Sequence, residues 1–156
     1  NLEKVGGVQY TAEEVEFAKK IQSTYDFTIP PIQSAGKVNP LKEENDFGGG
    51  STDVGDVSYV VPAVGLRAAT WVPGTPGHSW QAVACGGTTI AKQGMMLASK
   101  TLAATTMELI LNPQKIQDAK KEHALRLKEN QFKPLLEKDQ KPPLDYRLPG
   151  RRASAE

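Results

Sequence analysis

Apolar residues recur at helical spacing in three stretches of the chain and lose that spacing elsewhere. In the first, Phe17, Ala18, Ile21 and Tyr25 fall at i, i+1, i+4 and i+8, with Glu13, Glu16, Lys19 and Lys20 on the opposite side. That is one apolar stripe on an amphipathic surface helix. Its start is marked by Thr11-Ala12-Glu13-Glu14, a capping box in which a hydroxyl and a carboxylate satisfy two orphan amide donors. The helix is expected to run to about Tyr25. In the second stretch, Thr88 opens a long helix ending near Asn112, with Ala91, Met95, Ala98, Leu102 and Leu109 on apolar positions and Gly94, Ala103 and Ala104 among them. This helix is expected to be the most buried. In the third, Asn112-Pro113 combines a cap with proline at the first helical position, and a helix carrying Ile116, Ala119, His123 and Leu127 should reach about Glu129.

Between these stretches the periodicity changes or disappears. Asp26 to Gly50 contains Pro30, Pro31, Pro40 and the Gly48-Gly49-Gly50 run and reads as a long loop. Ser51 to Tyr59 supplies side chains able to cap a helix of one or two turns, which Pro62 then stops. Ala63 to Val72 is apolar enough for a strand buried in a sheet, with Arg67 the awkward residue. Val72-Pro73-Gly74-Thr75-Pro76-Gly77-His78-Ser79-Trp80 then fixes a backbone path and exposes what it carries. Beyond Phe132, four prolines and many charges read as an extended tail. The expected organisation is one unit over 1–132 and a proline-rich tail over 133–156.

Composition narrows the function classes. With 19 basic and 18 acidic residues the formal charge is +1, so no long-range field draws the chain to nucleic acid or an anionic membrane. No window approaches the roughly 20 apolar residues a membrane span needs. One cysteine, Cys85, leaves no internal disulfide and fits a reducing compartment, so the cytoplasm is expected, with the periplasm compatible. The chain opens without methionine on Leu2-Glu3-Lys4-Val5 before Gly6-Gly7, which reads as the tail of a helix and raises the expectation of a cut end.

Few residues invite chemistry. His78 is an imidazole on a rigid turn just past the expected strand, a position where α/β enzymes place ligands and catalytic groups; the bland alternative is an exposed loop histidine, or one bonded to a carbonyl. His123, beside Ile116 and Leu127, reads as structural. His78, Asp53 and Asp56 could converge, although the aspartates read first as helix caps, and no local motif completes a metal site. Gly48 to Ser51 has the form of an anion-binding turn without a P-loop lysine. Cys85 reads as a small buried packing residue rather than a nucleophile.

Four blocks carry a family resemblance: Ser51-Thr52-Asp53-Val54-Gly55-Asp56-Val57-Ser58, Gly74-Thr75-Pro76-Gly77-His78-Ser79-Trp80-Gln81, Ile90-Ala91-Lys92-Gln93-Gly94-Met95-Met96-Leu97, and Lys100-Thr101-Leu102-Ala103-Ala104-Thr105-Thr106. In order and spacing they resemble amidohydrolases of the aminobenzoyl-glutamate utilization protein B type, over roughly residues 1–130. The resemblance implies an α/β fold: the C-terminal third of a zinc-peptidase-like catalytic domain, a few strands packed with long helices. It implies a parent enzyme in which zinc or manganese polarises an amide carbonyl and activates water for hydrolysis of p-aminobenzoyl-glutamate or a similar N-acyl amino acid amide. His78 then matches a metal ligand, and Gly50, Ser51, Thr52 and Asp53 match a turn beside the substrate. The catalytic glutamate, the other ligands and the smaller lid domain are expected upstream, so this chain alone should be inactive and unable to hold a dinuclear site. Its partners would be the rest of that chain or another copy, in an oligomer. The alternative is a non-catalytic binding or assembly module that keeps the parent's fold.

Overall fold

The computed structural model describes residues 1–41, 52–142 and 144, and the elements in them are helical. In chain order they are α1 (Leu2–Val5), α2 (Ala12–Gln22), a 3-10 helix (Ile32–Gly36), α3 (Val54–Val60), α4 (Trp80–Gly86), α5 (Thr89–Leu111) and α6 (Pro113–Glu129). The capping box forms as the spacing predicts: the Glu14 amide donates to Thr11 Oγ1 at 3.2 Å and the Thr11 amide donates to Glu14 Oε2 at 2.8 Å. Gly6, at φ 86°, ends α1 in a conformation that side-chain-bearing residues avoid.

The expected α/β fold is not what forms, because no described residue lies in a strand. Residues 62–70 are irregular, and Val64 is 89% exposed. A strand exists only when a neighbour accepts and donates along its edge, and no described segment pairs with this one. Apolar content marked the segment as able to enter a sheet without supplying a sheet. The segment instead reaches α5 at its far end, where Gly94 leaves no room for a Cβ against the Ala69 carbonyl. It then enters the core at Val72.

That core is small and lies where four elements meet. Ala18 and Ile21 of α2, Val72, Cys85 of α4 and Ile90 of α5 form it, with Tyr10, Phe17, Tyr25, Ile32 and Ala84 packed against it. Helix α5 spans about 34 Å at the usual rise of ~1.5 Å per residue. It buries Ile90, Gly94, Leu97 and Thr101, a stripe one position away from the expected one. Met95 and Leu102, assigned to the core by spacing, are more than half exposed. The helix is apolar on nearly every side, so periodicity could not say which side would be covered.

The far end of α5 receives α1 and α6 through polar contacts. Asn1 Nδ2 donates to Thr105 Oγ1 at 3.2 Å and to Glu108 Oε2 at 2.7 Å, and Glu108 also pairs with Lys115 of α6. Helix α6 turns Ala119, His123 and Leu127 of its expected side inward, half-buried, while Ile116 of the same side stays exposed. His123 Nε2 donates to the Ser58 carbonyl of α3 at 2.8 Å, and the Tyr59 and Phe132 rings meet at 5.0 Å. Among the described residues no helix is long and apolar enough to cross a membrane.

Candidate functional site

The turn between Val72 and Trp80 is an irregular segment held by several hydrogen bonds. Its first half closes on itself: the Thr75 amide and Thr75 Oγ1 both donate to the Val72 carbonyl, at 3.0 and 2.7 Å. Gly74 sits at φ 90° with its open side against Ile29 and Pro30, where a Cβ would collide with the Ile29 side chain. Its second half is a helix cap. Ser79 Oγ accepts from the Ala82 amide at 3.2 Å and donates to the Pro76 carbonyl at 2.8 Å, which starts α4.

The end of α2 bolts this turn in place. Gln22 Nε2 donates to both the Pro30 and Pro73 carbonyls at 3.0 Å, Tyr25 Oη lies 2.8 Å from Thr75 Oγ1, and Gln81 Nε2 donates to Thr24 Oγ1 at 3.1 Å. The Thr75 hydroxyl proton is already committed to Val72, so the Tyr25 phenol is the donor in that contact. Tyr25 also stacks on Phe27 with ring centroids 5.1 Å apart.

His78 stands at the apex of the turn, exposed, with φ 57°. It is the one non-glycine residue with positive φ among those described. A left-handed backbone costs an L-residue free energy, and such positions gather at functional sites. Among the described residues, no three of the types His, Cys, Asp and Glu come together as a metal site requires. His78, Asp53 and Asp56 therefore do not converge into a three-ligand set among the described residues.

The remaining sequence candidates fall in different places. Gly50 and Ser51 lie outside the described residues. Thr52 and Asp53 are exposed at the start of α3. Asp53 occupies the N-cap position, yet its side chain makes no capping bond; its backbone is at φ −90°, ψ 0°, not the extended form that aims a capping oxygen at the helix. Thr52 Oγ1 accepts from the Val54 amide instead, at 3.3 Å. Cys85 is fully buried in the core, as its packing role predicts. His123 serves as a carbonyl-bonded structural histidine.

Two electrostatic features flank the core. Burial pushes the Tyr10 phenol up to about 12, aided by nearby Cys85 and Glu14, and the phenol donates to the Trp71 carbonyl at 3.3 Å. For Glu14, burial pushes its carboxyl up, but bonds from Thr89, the Thr11 amide and Gln93 outweigh it, so the carboxyl ends below its ordinary range. Glu14 lines a groove of about 660 Å³ with Phe17, Gln93 and Met96, and there its oxygens are engaged by protein donors.

Sequence reasoning missed the clamp residues. Tyr25 stood out only as an apolar position and Gln22 not at all, since their partners lie 50 and 51 residues away.

The chain is 34% identical over 145 residues to the B subunit of p-aminobenzoyl-glutamate hydrolase from Escherichia coli strain K12. It resembles that hydrolase component. The match takes in 78% of this chain, and the chain spans 30% of the length of the relative. No family model matches the chain. No solved structure matches it either.

Proposed function

We propose that this chain is part of a metal-dependent amidohydrolase acting on p-aminobenzoyl-glutamate or a similar N-acyl amino acid amide, and that its contribution is one side chain and one wall of the site. The observation that carries the reading is His78: an exposed imidazole on a left-handed turn, inside a chain similar to a hydrolase component. In this reading His78 offers a ring nitrogen to a zinc or manganese ion, and Gly50, Ser51, Thr52 and Asp53 position the substrate. The described residues do not complete a three-ligand set around His78, so in this reading the missing ligands come from the remainder of the hydrolase or from another copy. The same need for a partner accounts for the large apolar side chains left open, among them Val83 at 79% and Ile110 at 64% exposure.

The test is metal content per chain and hydrolysis of p-aminobenzoyl-glutamate with added zinc or manganese. It compares this chain alone, this chain mixed with the remainder of a full-length relative, and the same mixture carrying His78→Ala. The expected result is neither metal nor activity in the isolated chain, both in the mixture, and loss of both with His78→Ala. Near-stoichiometric metal or activity in the isolated chain that survives His78→Ala would overturn the reading. A stable complex with the remainder, unaffected by metal and without hydrolysis, would favour an assembly module.

A further inference from the structure

We infer that Tyr25 and Gln22 are positioning residues for His78, holding the turn in the backbone form that presents its imidazole. The inference rests on the reading of His78 as the functional side chain of this chain. It stands on the long-range bonds that hold the turn upstream of His78.

A non-glycine residue persists at positive φ only where its surroundings over-determine the conformation. His78 is held from both sides of the turn. Upstream, Thr75 is fixed by the Tyr25 phenol and by its own bond to Val72, while Gln22 holds the Pro73 carbonyl. Downstream, Ser79 spans from Pro76 to the α4 amide of Ala82. The Ser79 anchor is local and would travel with the turn if it moved, and beyond it Gln81 Nε2 ties the start of α4 to Thr24 Oγ1. The anchors from Tyr25 and Gln22 are not local: Gln22 spends both amide hydrogens on two proline carbonyls from separate segments, tying the turn and the Pro30 loop to one point of α2. Prolines bring no amide hydrogen of their own, so the turn's path depends on donors from elsewhere. Once the Gln22 and Tyr25 bonds are removed, the left-handed conformation of His78 loses its upstream support and relaxes toward negative φ.

The test uses the isotopically labelled chain without metal and reads the intraresidue amide-to-Hα cross-peak of His78, which is strong only in the left-handed region, where the two protons approach closely. The variants are Tyr25→Phe, which keeps the ring on Phe27, and Gln22→Met, which keeps side-chain length without the donors. In both, the His78 cross-peak should fall to the intensity of a right-handed helical residue such as Gln81, with the capping-box signals of Thr11 and Glu14 unchanged. If one variant fails to fold, the other decides. An undiminished His78 cross-peak in a folded variant that merely melts earlier would overturn the inference and leave the two bonds as ordinary stabilising contacts. Because no metal is present, this result is separate from whether the imidazole binds one: a lost cross-peak, together with a mixture of this chain and the remainder of the hydrolase that never acquires metal, sinks the metal reading and keeps the positioning one.

Discussion

Gln93 Nε2 of α5 lies 2.9 Å from both carboxylate oxygens of Glu14 in α2. Together with Thr89 Oγ1 and the Thr11 amide, this makes one nearly buried carboxylate both the cap of its own helix and the tie to the longest helix described. Glu14→Ala should therefore cost more than a lost cap, about 2–4 kcal/mol in total, read from denaturant or thermal unfolding. Exposed Glu13→Ala should stay within about 0.5 kcal/mol. Equal effects at the two positions would refute the tie.

The pH dependence has a fixed sign. Glu108 is held down to about 2 by the hydrogen bond from Lys115 first, then by Asn1 and the Lys115 charge. A carboxyl whose folded value is depressed stabilises the fold above its unfolded value, near 4.5, and loses that contribution as pH falls toward 2. Lys115→Met should raise the Glu108 titration toward 4.5, followed by the carboxyl carbon shift, and flatten the acid limb of stability over that window.

Substituting His78 should invert the usual order of glycine and alanine. Alanine keeps the left-handed penalty of ~1–2 kcal/mol that glycine escapes, against an unfolded-chain entropy cost to glycine of ~0.4–1 kcal/mol. His78→Gly should thus be more stable than His78→Ala by about 0.5–1 kcal/mol in urea unfolding. A less stable glycine variant would mean that the position carries no left-handed strain.

Two glycines give opposite forecasts for the same substitution. Gly94→Ala drives a methyl into the Ala69 carbonyl and the Thr70 methyl and should destabilise by about 1–3 kcal/mol. Gly55, within α3, has open space where its Cβ would stand, so Gly55→Ala should stabilise by about 0.5–1 kcal/mol. Melting temperatures of the two variants should move in opposite directions.

How much of this is legible beforehand depends on the range of the interaction. The capping box at Thr11, the proline start of α6 and the stop at Gly6 are written within a few residues, and each forms where the pattern puts it. Helix α4 is not among the expected elements, although Ser79 after a proline-glycine turn is a cap signal of the same local kind. The expected strand near Leu66 fails because pairing is a property of two segments, and apolar content describes only one.

The sequence by itself determined the capping box of α2, the presence of α5 and α6, the turn around His78 and the resemblance to a hydrolase family, since all of these reside in short windows or in ordered residue identity. Only the tertiary structure decided which side of α5 is covered, that Glu14 reaches Gln93, and that Gln22 and Tyr25 brace the turn. Those outcomes join residues tens of positions apart, and a side chain's partner at that distance is chosen by how the helices pack rather than by its neighbours in the chain.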